Sequence, residues 1–230
     1  MSKGLMGGLL GVWLSSILYG TVLALKLDPF TPAIAYTIIA SILVFPLSYL
    51  AWTRPMRTLY MSIGAALMIP PALWGLPATA PLIVVHAALL SVVWRATGTR
   101  LIVAGGTLVG GVGGYLAAIA TGSYLAALAP LTYHLMTVSK AAVRVTGEDV
   151  YKHVFTAAAA VIAGASLIAC IPKGCTACAV LLTGDSLLRV MESWSGFDGK
   201  LGLKTYGFIE TFRSLAVLLT LAALIIGCAP

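Results

Sequence analysis

"LMGGLLGVWLSSILYGTVLAL" (residues 5–25) runs for twenty-one residues without a charge. A helix rises about 1.5 Å per residue, so this stretch spans the roughly 30 Å hydrocarbon core of a bilayer. It is too long for a signal-peptide core and lacks a small-residue cleavage site, so it reads as a retained helix. Lys3 and Lys26 bracket it.

The same texture continues outward. Further apolar runs lie near 32–53, 58–75, 78–94, 101–121, 123–139, 154–171, 175–192 and 210–228. The 230-residue chain is 60% hydrophobic and only 9% charged, whereas a soluble domain carries about 25% charged residues. So few charges would not cover a water-facing surface, but lipid-facing side chains should be apolar. The fold class expected is all-α: a polytopic transmembrane helical bundle of nine spans, forming a single integral membrane domain over 1–230. The longest polar interval, about 140–153, reads as a loop. Two runs are short: 58–75 contains Pro70-Pro71, and 123–139 contains Pro130. Proline removes a backbone donor and kinks a helix, and eight spans, with one of these re-entrant, is the alternative count.

The basic residues choose between the two. With a cytoplasmic N-terminus and an exterior C-terminus, nine spans put twelve of the fourteen Lys and Arg inside, leaving Lys26 and Lys173 outside. That is a strong positive-inside bias, and it points to the cell (plasma) membrane. The net charge of +7 therefore tracks membrane side, and no nucleic-acid partner is expected. The cytoplasmic set includes Arg54, Arg57, Arg95, Arg100 and Arg144. Such a ring suits a phosphate or an anionic lipid headgroup, although topology alone also produces it.

Polar groups inside the apolar runs are the candidate site, because ionisable side chains in hydrocarbon are costly. His86, His134, Asp185 and Arg189 qualify. Asp185, Arg189 and Glu192 are spaced i, i+4, i+7 and share one helix face. One reading is an Asp–Arg pair that neutralises itself. The other is a polar cavity open to the cytoplasm, binding or relaying a cation or proton with help from the histidines. The histidines at similar depth also raise bis-histidine haem ligation. No cofactor is otherwise indicated, and the ligand expected is an unidentified small molecule or ion alongside membrane lipid. The segment 193–209 reads as an interfacial anchor, or a lid over that cavity.

"GGTLVGGVGG" (105–114) matches no phosphate-binding pattern, but Gly106, Gly110 and Gly114 make a doubled G-x-x-x-G stripe. Such a stripe packs helices closely, either within the chain or across a homo-oligomer. Cys170, Cys175, Cys178 and Cys228 follow the plant-type iron–sulfur ligand spacing. The topology gathers all four at the outer boundary, where oxidising conditions favour disulfides. One bridge would close the hairpin, Cys170 to Cys175 or Cys178, and the remaining cysteine would tie Cys228. A four-thiolate metal site and packed thiols are the other options.

Nine helices with an internal N-terminus resembles the architecture of UbiA-type prenyltransferases, which hold a magnesium diphosphate through Asp-rich motifs. The loop "SYLAWTRPMRTLYM" (48–61) has no carboxylate, and the later loop offers only Glu148-Asp149. The likeness is one of architecture and covers no motif. Three functions follow: a small transporter or channel with a cytoplasm-facing polar site, a membrane-embedded enzyme acting on a lipid or isoprenoid phosphate, and a non-catalytic subunit or assembly factor of a membrane complex. The first is favoured by the intramembrane Asp/Arg/His set and the proline-broken helices.

Overall fold

A computed structural model describes residues 3–27, 31–53, 56–170, 175–196 and 203–228. Among these there is no strand. The helices are α1 (Lys3–Leu27), α2 (Pro32–Thr53), α3 (Arg57–Trp74), α4 (Ala80–Arg95), α5 (Gly98–Gly110), α6 (Gly113–Thr121), α7 (Tyr124–Thr146), α8 (Asp149–Cys170), α9 (Thr176–Ser195) and α10 (Leu203–Gly227). Each apolar run becomes a helix except 101–121, which breaks into α5 and α6.

Five stretches are long and apolar enough to cross a membrane: Leu10–Leu27, Pro32–Trp52, Gly98–Thr121, Asp149–Ile168 and Thr205–Gly227. These long apolar helices are compatible with a multi-pass membrane protein. Helix α4 is a shorter apolar helix, and α7 and α9 carry the ionisable side chains that lower their hydropathy. Exposure is inverted relative to a soluble protein. Arg189 is 0% exposed while Ile168 is 75% and Val180 70% exposed. Only an apolar surrounding makes that arrangement favourable.

The 140–153 interval departs from expectation. It is helix on both sides of a short connection, since α7 continues to Thr146 and α8 begins at Asp149. The reason is that Lys140 turns inward to carboxylates rather than outward to water. Gly147, at φ 70°, then ends α7 in the left-handed conformation that glycine adopts without strain. Pro130 lies within continuous helix. The turn at 171–174 lies outside the described residues, as does 197–202, the middle of the anchor or lid segment.

The broken helix α5–α6 is the centre of the bundle. Helix α5 packs on α1, α2, α4 and α7, and α6 on α1, α2, α3 and α7. Small residues allow this closeness: Ala117, Ala118, Ala126 and Ala127 are all buried at these contacts. The first and last helices, α1 and α10, also pack along each other. The ends of α1, α6, α8 and α10 meet the starts of α7 and α9 around one cavity, so these helices alternate in direction.

Candidate functional site

Three carboxylates and three cations close into a ring where α7, α9 and α10 meet. Asp185 Oδ2 accepts from Arg189 Nε at 2.8 Å. Arg189 Nη1 donates to Glu210 Oε2 at 2.6 Å. Lys140 Nζ bridges Glu210 Oε1 (3.3 Å) and Glu192 Oε2 (2.8 Å). Arg213 completes the circuit, Nη1 to Glu192 at 2.7 Å and Nε to Asp185 Oδ1 at 2.7 Å. Every member touches two opposite charges, and the formal sum is zero.

Helical periodicity puts the ring in place. Tyr133, Thr137 and Lys140 on α7 repeat the i, i+4, i+7 spacing of Asp185, Arg189 and Glu192 on α9, so two polar stripes face each other. Tyr133 donates its hydroxyl to Asp185 at 2.9 Å, accepts from Arg189 Nη2, and lays its ring 4.4 Å from the guanidinium carbon. Thr137 accepts from Arg189 at 3.2 Å. Asp185 therefore accepts from three donors, Tyr133, Arg189 and Arg213. The outer edge of the ring is Glu192 and Arg213, whose side chains are 23% and 17% exposed.

The histidines do not join this ring. His134 follows Tyr133 on α7 but faces α1, with Nε2 3.4 Å from Ser15 Oγ and Nδ1 without a hydrogen-bond partner. His86 on α4 places Nδ1 2.8 Å from the Tyr115 hydroxyl on α6. Its Nε2 lies beside Gly111 and the Leu108 backbone with no well-formed hydrogen bond. Both rings converge on the break between α5 and α6. A Cβ on Gly110 would meet His134 at 2.6 Å, and one on Gly111 would meet His86 Nε2 at 2.5 Å. The helix backbone fills the space at both rings, which leaves no room for a haem between them.

At the break the backbone tightens to i→i+3 hydrogen bonds, Val112 N to Val109 O at 3.4 Å and Gly114 N to Gly111 O at 2.9 Å. Gly113 N leaves the ladder and donates to Ser16 Oγ on α1 at 3.0 Å. A Cβ at Gly113 would overlap the Ser16 carbonyl oxygen, and one at Gly114 the Ala127 carbonyl oxygen on α7. The stripe Gly106, Gly110, Gly114 is therefore split between two helices, with all three buried inside the chain.

No family model, curated protein or solved structure matches this chain.

The basic residues are dispersed. Arg57 donates to the Ala96 carbonyl at the end of α4, 3.1 Å away. Arg95 and Arg100 are exposed, and Arg144 lies over the Tyr206 ring at 4.9 Å. Arg54 lies outside the described residues. All four cysteines line one cavity of about 410 Å³. Cys175 and Cys228 form a disulfide across 53 residues, tying the start of α9 to the end of α10. The hairpin between α8 and α9 carries no bridge of its own, since Cys170 and Cys178 share a thiol hydrogen bond instead.

Sequence reasoning did not place Tyr133, Thr137, Lys140, Glu210 and Arg213 around Asp185, Arg189 and Glu192. The repeat of polar residues at 133, 137 and 140 is the signal available for the α7 members.

Proposed function

We propose that this chain is a small carrier of the cell membrane, of nine spans with a cytoplasmic N-terminus and an exterior C-terminus, that moves a proton or small cation past the break in its central helix. One observation carries the reading: the most buried membrane-length stretch is discontinuous, and two buried histidines meet it with a ring nitrogen each left without a good hydrogen bond. Discontinuous helices at mid-depth expose backbone dipoles to a passing ion, as in many transporters. A neutral imidazole holds or passes a proton through its free nitrogen, while Tyr115 and Ser15 fix the ring at the other.

In this reading the site moves from Asp185 to His86 and His134. The charge ring serves as a neutral clamp that holds α7, α9 and α10 together beside the pathway. The exposed arginines face the cytoplasmic headgroups.

Reconstituted vesicles test it. Proton or sodium uptake driven by an imposed potential should fall at least about tenfold in His86→Ala and His134→Ala, a lower bound beside the roughly 10²–10⁴-fold that a positioned proton-transfer group contributes to catalysis. Wild-type vesicles impermeable to protons, sodium and potassium alike would end the proposal. The second reading, an enzyme on lipid phosphates, draws on an apolar cavity of about 230 Å³ among α2–α5, next to a cleft reaching Arg95. A co-purified isoprenoid or phospholipid phosphate in native mass spectrometry would favour it.

A further inference from the structure

At the end of the bundle opposite the charge ring, three sulfurs lie within 4.8 Å of one another: Cys175, Cys178 and Cys228. Two of them share the disulfide. The third, the Cys178 thiol, stands 3.2 Å from Cys175 Sγ. Cys178 also shares a hydrogen bond with the Cys170 thiol. One thiol thus touches both a disulfide and a second thiol. A disulfide serving only as a staple needs no such neighbours.

We propose that the four cysteines form a thiol–disulfide exchange site that acts on a low-molecular-weight disulfide entering the cavity. Exchange requires a thiolate to reach a disulfide sulfur, and Cys178 is already in van der Waals contact with one. In the internal step Cys178 loses its proton and its sulfur attacks Cys175. The Cys175–Cys178 bond forms, the Cys175–Cys228 bond breaks, and Cys228 leaves as a thiolate that takes up the proton. No electrons are gained or lost, and α10 is released from α9. In the external step the dithiol Cys170–Cys178 meets the incoming disulfide. Two electrons and two protons pass to the small molecule, which leaves as two thiols, and the protein gains a second disulfide.

The cavity suits such a substrate. Its volume of about 410 Å³ falls in the range of small-molecule sites, and Tyr19 and Ser123 add hydroxyls to the sulfur-lined wall. Cys178 is the pivot, because it alone contacts both partners. The proposal rests on the sulfur positions and is independent of ion movement at the helix break.

The test uses the full chain in nanodiscs with oxidised glutathione as the probe, followed by alkylation and mass-spectrometric mapping of each linkage. Wild type should show Cys175–Cys178 appearing beside Cys175–Cys228, faster as pH rises because the thiolate attacks, and should release reduced glutathione. Cys178→Ser should hold Cys175–Cys228 alone and slow glutathione release at least about tenfold. Cys170→Ser should keep the internal step and lose the second disulfide. Cys178→Ala serves in place of Cys178→Ser where the serine variant does not fold. A wild-type linkage pattern that stays static under alkaline oxidised glutathione would overturn the proposal. So would one equivalent of zinc retained by the reduced protein with its thiols protected from alkylation.

Discussion

Arg189 is the largest fully buried side chain among the described residues, and its surroundings explain how lipid tolerates it. Removing one member of a buried ion pair strands its partner, which costs about 3–5 kcal/mol in soluble proteins. Asp185 shares its carboxylate between two arginines, so Asp185→Asn leaves the ring with an excess positive charge. We expect this variant to lose thermal stability in detergent by roughly that amount. Asp185→Asn combined with Arg213→Gln restores neutrality and should lose less than the sum of the single changes, by about 1 kcal/mol or more. Strict additivity in a double-mutant cycle would show the ring is not coupled. The α9 stripe was legible because its spacing lies within one helix. Its partners on α7 and α10 were not, because no local pattern says which helices meet.

At the scale of the element, the glycine-rich run shows where local signals mislead. A doubled G-x-x-x-G stripe and a helix break use the same residues, and composition does not separate them. The choice was made by neighbours: Ser16 takes the Gly113 amide, and the two histidines occupy the space beside Gly110 and Gly111. Gly113→Ala should therefore be costly, because its Cβ would strike backbone rather than a movable side chain. A loss of about 1–3 kcal/mol or more is expected from overpacking, measured as a lower melting temperature on size-exclusion detection. Gly164 on α8 has nothing near its Cβ position, so Gly164→Ala should hold or raise stability by about 0.5–1 kcal/mol. Equal effects of the two substitutions would refute the close approach. The disulfide acts at this scale as well: closing its 53-residue separation contributes about 4 kcal/mol in the chain-entropy model, so Cys228→Ser should unfold at lower temperature.

For the whole molecule, the bundle was visible in the near absence of charge, since 9% charged residues leave lipid as the only consistent solvent. The described helices add an independent polarity. Lys140, Arg189 and Arg213 gather toward one end and the four cysteines at the other, a separation that sequence spacing alone does not give. If the basic end faces the cytoplasm, the sulfur end meets the oxidising side, and the disulfide is in the compartment where it persists. Two exposed positions test this orientation directly. Val150 begins α8 at the basic end, and Tyr124 begins α7 at the cysteine end. With the native thiols blocked, Tyr124→Cys in whole cells should react with a membrane-impermeant maleimide. Val150→Cys should react only after the membrane is opened. The reverse pattern would invert the bundle, place the cysteines in a reducing compartment and remove the setting that the disulfide requires.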